Sequence, residues 1–168
     1  MLVGFFAALL RGGAIIVQLF AAFHAQSYQL MMPYLRRIFF IRFLSWFLIG
    51  VAITVFGENY PNITLASIGF GLFMFSFSAG FAAIYFREIM AKIFSHKFRG
   101  KTMAYRQFFS GAGGLLSGAL AAWILESFEA PQSYGYLFII SSFIMGFGYL
   151  AFALVDEPIK EQTSKKEG

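Results

Sequence analysis

Five long apolar segments dominate the sequence and restrict the folds that it can adopt. A helix needs about 20 mostly apolar residues to cross the hydrocarbon core of a bilayer. The segments that meet this requirement cover residues 1–25, 38–57, 63–86, 108–125 and 134–155. Their apolar residues do not keep the alternating pattern that the strands of a membrane β-barrel require. The sequence therefore predicts an all-α integral membrane protein in which residues 1–155 form a bundle of five transmembrane helices.

The composition excludes several other classes of protein. Hydrophobic residues make up 59% of the 168 residues and charged residues 12%, whereas soluble domains average about 45–50% and about 25%. A soluble domain of this size has too little interior for so much apolar surface. With no cysteine and two isolated histidines, the chain offers no disulfide framework and no metal site. No nucleophile–base pair or phosphate-binding loop is visible, so we expect neither an enzyme nor a bound cofactor.

The charged residues between the spans predict the orientation of the chain in the membrane. Lys and Arg follow the first, third and fifth spans. The stretches after the second and fourth spans carry no Lys or Arg and contain only Glu58, Glu126 and Glu129 as charged residues. Because basic loops stay on the cytoplasmic side, we expect the Gly168 end, a charged tail of residues 156–168, in the cytoplasm. The basic residues thus report topology, and we expect no nucleic-acid partner.

Three stretches of the sequence carry a family resemblance. They are LLRGGAIIVQLFAAFHAQSYQLMMPYLRRIFFIRFLSW, FREIMAKIFSHKFRGKTMAYRQFFSGAGGLLSG and the ending FALVDEP. The first resembles the second helix, short loop and third helix of major facilitator superfamily transporters, in poorly characterised bacterial members. The other two resemble the long basic loop between helices four and five and the exit of helix six. The superfamily signature Gly-x-x-x-Asp-x-x-Gly-Arg is not found in the loop AQSYQLMMPYLRR, and GAGGLLSG lacks the Gly-Pro of the drug antiporters.

This resemblance implies the N-terminal half of such a transporter, with the five spans as its second to sixth helices. A further helix would precede Met1, and residues 156–168 would begin the central loop that leads to a C-terminal half. The implied function is secondary active transport of a small solute across the bacterial cytoplasmic membrane by alternating access. The implied partners are the lipid bilayer, a small-molecule substrate, and the first helix and C-terminal half of the same protein. The alternative is a non-transporting membrane scaffold or assembly subunit that packs through glycine-rich helix faces.

Arg11 and Gln18 are the candidate residues of a substrate cavity. Arg11 lies about ten residues from either end of its span, where an arginine costs at least about 2.5 kcal/mol unless it meets a cavity or a partner. Gln18 lies two turns further along the same helix face. The alternatives for Arg11 are an ion pair with a carboxylate of a preceding helix, or a side chain that reaches the interface. Arg42, by contrast, is expected at about the first turn of the second span.

Small and basic residues make up the remaining candidate sites. The predicted helix-packing residues, whose spacing lets two helix backbones approach closely, are Gly111, Gly114, Gly118, Ser76 and Gly80. The basic residues of the predicted cytoplasmic loop are Arg87, Lys92, Lys97, Arg99, Lys101 and Arg106. Residues 87–107 are expected to form an amphipathic interfacial helix that contacts anionic lipid or, alternatively, gates the cytoplasmic helix ends.

Overall fold

Four α-helices form most of the described part of this computed structural model, which covers residues 30–93 and 96–158 together with Gly4 and Val17. They are α1 (Met32–Phe56), α2 (Pro61–Ile93), α3 (His96–Ser127) and α4 (Gln132–Ala153). Each contains a segment that is long and apolar enough to cross a membrane. The all-α membrane architecture is thus confirmed for four helices, while the span predicted at residues 1–25 lies outside the described residues.

All four helices begin before the apolar segments from which they were predicted. α1 begins at Met32 rather than residue 38, and Pro33 occupies its first turn, where a missing N–H costs nothing. Residues 87–93 continue α2, and residues 96–107 open α3. The separate interfacial helix expected over residues 87–107 is therefore wrong. The charged stretch remains part of the two long helices because Lys, Arg, Met and Ala are strong helix formers.

α2 and α3 are longer than the hydrocarbon core is thick. They contain 33 and 32 residues, which correspond to about 50 and 48 Å at 1.5 Å per residue, against about 30 Å of hydrocarbon. The C-terminal end of α2 and the N-terminal end of α3 are neighbours in the chain and carry the basic residues. These two ends therefore project from the same side of the membrane, and we call that side the basic end of the bundle.

α1 packs against both α2 and α4 and forms the centre of the described bundle. At the basic end, Leu35 of α1 and Ile89 of α2 belong to one buried apolar cluster. Further along, the Trp46 ring lies 4.6 Å from the Phe75 ring of α2 and 4.8 Å from the Phe138 ring of α4. The Trp46 side chain of α1 consequently packs against both α2 and α4.

Glycines bring α1 close to both of its neighbours. A Cβ atom added to Gly50 would lie 2.8 Å from the Gly135 carbonyl oxygen of α4. A Cβ atom added to Gly71 of α2 would lie 3.3 Å from the Ser45 carbonyl oxygen of α1. Backbone atoms cannot move aside as a flexible side chain can. These glycines are therefore required for the observed spacing of the helices.

α3 meets the other described helices mainly near its C-terminal end, where it contacts α4. Ile124 is buried there, and the Phe128 ring lies 5.0 Å from the Tyr136 ring of α4. The rest of α3 is largely exposed within the described part of the chain. A long apolar helix face therefore lies without a described protein partner.

Candidate functional site

The two predicted cavity residues, Arg11 and Gln18, lie outside the described residues, as do the side chains of Lys97 and Arg99. Their predicted roles stay predictions. Within the described part, a charged side chain in a membrane-spanning segment is found instead at Arg42. This residue lies ten positions after Met32, or about 15 Å along the axis of α1. Its expected place in about the first turn is wrong because α1 begins six residues before the predicted span.

Aromatic rings from two other helices surround the Arg42 guanidinium. Its Cζ atom lies 4.2 Å from the centre of the Phe75 ring of α2 and 5.9 Å from the centre of the Tyr149 ring of α4. The Tyr149 ring in turn stacks on Phe39 of α1, with the two centroids 4.2 Å apart and the planes at 3°. A cation over the negative face of an aromatic ring is attracted by the ring quadrupole. The rings therefore stabilise the charge of Arg42 inside the membrane-spanning segment.

The hydrogen-bonding capacity of Arg42 is only partly used. Its Nε atom is buried and has no hydrogen-bond partner among the described residues. No carboxylate in the described ranges forms a salt bridge with it. The site therefore combines a half-buried positive charge with a buried, unsatisfied N–H donor, which is the chemistry that binds an anion or a carbonyl oxygen.

A second polar site closes the basic end of the bundle around Glu157. One carboxylate oxygen accepts hydrogen bonds from the backbone N–H groups of Met31 and Met32, both at 2.7 Å. The other oxygen accepts from Lys92 Nζ at 2.5 Å. The side chains of Lys92 and Glu157 are only 6% and 2% exposed. Glu157 thus caps the N-terminus of α1, where a negative charge is favoured by the helix dipole.

Arg36 adds a second link at the same end. Its Nε and Nη2 atoms donate to the Ala153 carbonyl oxygen at 3.0 and 2.6 Å. Ala153 is the last residue of α4, so the guanidinium satisfies one of the carbonyl groups that a helix end leaves open. At the opposite end of the bundle, Gln132 Nε2 donates to a carboxylate oxygen of Glu58 at 2.5 Å. Polar contacts therefore join α1 and α4, or the segments next to them, at both ends.

The sequence reading missed Glu157 and the position of Arg42. The sequence pattern places Lys92 in a loop and Glu157 in a tail, although the ending FALVDEP resembles the exit of a helix. The other basic residues whose side chains are described, Arg87, Lys101 and Arg106, are exposed at the projecting ends of α2 and α3. Lys92 is thus the one predicted loop residue that the structure brings into a buried site within the described part of the chain.

The predicted packing residues fall into two groups. Ser76 and Gly80 are buried in α2. The three predicted glycines of α3 are Gly111, Gly114 and Gly118. A Cβ atom added to any of them would have no described atom within 4 Å apart from the backbone of its own helix and its chain neighbours. The glycine face of α3 is therefore open in the described structure, and its role in helix packing stays a prediction.

No family model, curated protein or solved structure matches this chain. Within the described ranges, no group of three His, Cys, Asp or Glu side chains is placed to hold a metal ion. The contacts of Arg42 and Glu157 are therefore the features from which a function has to be inferred.

Proposed function

We propose that this chain is the N-terminal part of a secondary active transporter of the major facilitator type, which moves a small solute by alternating access. The observation that carries the proposal is Arg42, a half-buried arginine inside a transmembrane helix whose Nε atom is buried and has no hydrogen-bond partner among the described residues. Ionisable side chains in spans face the bundle interior or a cavity and mark substrate or ion pathways. Arg42, with Arg11 and Gln18 as further candidates, would contact an anionic or polar group of the solute near the middle of the membrane.

The proposed membrane is the bacterial cytoplasmic membrane, with the basic end of the bundle in the cytoplasm. The support is the clustering of Arg87, Lys92, Lys101 and Arg106 on the projecting ends of α2 and α3, since Lys and Arg near helix ends favour the cytoplasmic side. Solute movement is proposed because ionisable side chains within transmembrane segments mark substrate or ion pathways.

The test is transport by the full gene product in liposomes. Charge movement on a solid-supported membrane would be recorded while a panel of small organic and inorganic anions is applied. We expect at least one anion to evoke a current that Arg42→Met abolishes and Arg42→Lys partly restores, since lysine keeps the charge but loses the planar fork. Arg37→Gln is the matched control, because Arg37 is an exposed arginine near the start of the same helix. Equal currents in the wild type and Arg42→Met would reject a role for Arg42 in transport.

A scaffold or assembly subunit is the second candidate, favoured by the open glycine face of α3. Such a protein would pack against partner helices through small residues and would not depend on the chemistry of Arg42. The two candidate functions therefore predict different outcomes for Arg42→Met in the same transport experiment. If no anion evokes a current and Arg42→Met leaves assembly with membrane partners intact, the scaffold function is supported and the transporter is rejected.

A further inference from the structure

A cavity of about 520 Å³ opens between the projecting ends of α2 and α3. Phe86 and Met90 of α2 and Met103 of α3 form apolar walls. Arg87 of α2 and Arg106 of α3 line the same cavity, and its described lining residues include no acidic side chain. The cavity thus combines two positive charges with an apolar wall, and it is separate from the site of Arg42.

The two arginines lie at the depth of the lipid headgroups. Arg87 follows Pro61 by 26 residues, so it is about 39 Å along α2 from the opposite end. Arg106 precedes Ser127 by 21 residues, which places it about 32 Å along α3. The hydrocarbon core is about 30 Å thick and the bilayer with its headgroups about 40–45 Å. Two independent helices therefore bring a guanidinium to the same boundary.

The charges at this boundary have no salt-bridge partner in the described part of the chain. Neither Arg87 nor Arg106 forms a salt bridge with any residue in the described ranges. The Cζ atom of Arg106 lies 5.1 Å from the centre of the Phe86 ring, a cation–π contact that holds the guanidinium against the wall of the cavity. Charge complementarity therefore favours an anionic occupant, and the apolar wall favours one that also carries hydrocarbon.

We propose that this cavity binds an anionic phospholipid of the surrounding bilayer. The phosphate lies between the Arg87 and Arg106 guanidinium groups, which match a phosphate with two donors each. The acyl chains follow Phe86 and Ala83, since these residues continue from the arginines toward the hydrocarbon core. A basic pocket between transmembrane helices at the membrane surface is the arrangement expected for anionic headgroups. A free phosphate ion would use the charges but not the apolar wall.

Native mass spectrometry of the detergent-solubilised full chain tests the site, with dioleoyl phosphatidylglycerol and dioleoyl phosphatidylcholine as the lipid probes. We expect the wild type to retain phosphatidylglycerol at least tenfold more tightly than phosphatidylcholine. The double variant Arg87→Gln/Arg106→Gln should lose this preference. The control Arg37→Gln/Lys101→Gln removes two exposed basic residues of the same end outside the cavity and should change the affinity less than threefold. Far-UV circular dichroism checks that all variants remain helical.

A second variant separates the cavity from surface charge. Ala91→Phe keeps every charge but places a ring at an exposed position that lines the cavity, so it should reduce retention of phosphatidylglycerol at least threefold. Equal losses in the two double variants would show non-specific charge attraction and overturn the proposal. Full displacement of the lipid by millimolar inorganic phosphate would also overturn it, because the occupant would then be a free anion.

Discussion

Removal of the Glu157 carboxylate should destabilise the bundle far more than removal of its partner Lys92. In Glu157→Ala, the Lys92 ammonium stays in a site where the two side chains are 6% and 2% exposed. The N–H groups of Met31 and Met32 also lose their acceptor. In Lys92→Met, by contrast, the carboxylate keeps both N–H donors and the favourable end of the α1 dipole. The two substitutions break one ion pair but leave different groups unsatisfied.

The expected magnitudes follow from these contacts. Glu157→Ala leaves the Met31 and Met32 N–H groups without their acceptor. An unsatisfied donor costs about 1–3 kcal/mol, so we expect this substitution to lower the free energy of unfolding by about 4 kcal/mol. Lys92→Met should cost about 1–2 kcal/mol, since hydrogen bonds to a charged group contribute about 1.5–3 kcal/mol each and both remain. The double variant Lys92→Met/Glu157→Gln should cost less than the sum of the single variants Lys92→Met and Glu157→Gln, because each single variant already loses the ion pair between the two residues.

Unfolding in mixed micelles provides the assay. Sodium dodecyl sulfate is titrated into protein in a non-ionic detergent, and the fluorescence of Trp46 reports tertiary packing because its ring lies against Phe75 and Phe138. The only other tryptophan, Trp123, is exposed and is replaced by phenylalanine in every protein compared. The reasoning is refuted if Lys92→Met costs as much as Glu157→Ala, or if the double-variant cost equals the sum of the single costs.

Two further predictions concern packing and topology. Gly50→Ala should lower the free energy of unfolding by about 1–3 kcal/mol, because the added methyl group meets the Gly135 carbonyl oxygen. Gly148→Ala is the control and should not lower it, because nothing lies within 4 Å of the added methyl group. Equal effects of the two substitutions in the same unfolding assay would contradict the observed helix spacing. The chain has no cysteine, so single cysteines can report the topology. Glu129→Cys should react with an impermeant maleimide on intact cells, and Lys101→Cys should not. The reverse labelling pattern would reject the proposed orientation.

The sequence was sufficient to predict helices of membrane-crossing length but not where α1 begins. Hydropathy starts that segment at residue 38, because Arg36 and Arg37 interrupt the apolar run. The N-cap residue Met31 forms no side-chain cap, so Pro33 in the first turn is the one nearby residue that favours a helix start there. The cap comes from Glu157, 126 residues away. A contact between such distant positions depends on the packing of α1, α2 and the end of α4, which no local pattern contains.

The close contacts between helices could not be predicted from the sequence either. The spacing of small residues along a single helix led to Ser76 and Gly80, which are buried, but the described close approaches lie at Gly50, Gly71 and Gly135. Each of these glycines fits a particular backbone segment on another helix. Such pairing becomes visible only when the relative position of two helices is known, and the same holds for the cavity that joins α2 and α3.

The surroundings of Arg42 explain how a charge can remain in the membrane without a described carboxylate. An arginine at the centre of a transmembrane helix costs at least about 2.5 kcal/mol, and a desolvated cation–π contact returns about 2 kcal/mol. The Phe75 and Tyr149 rings therefore offset most of the cost without neutralising the charge. A carboxylate would offset it as well, but it would occupy the N–H groups and cancel the field. Stabilisation by aromatic rings leaves the positive charge uncompensated and the Nε–H donor free of a described partner. A site for an anionic solute requires both.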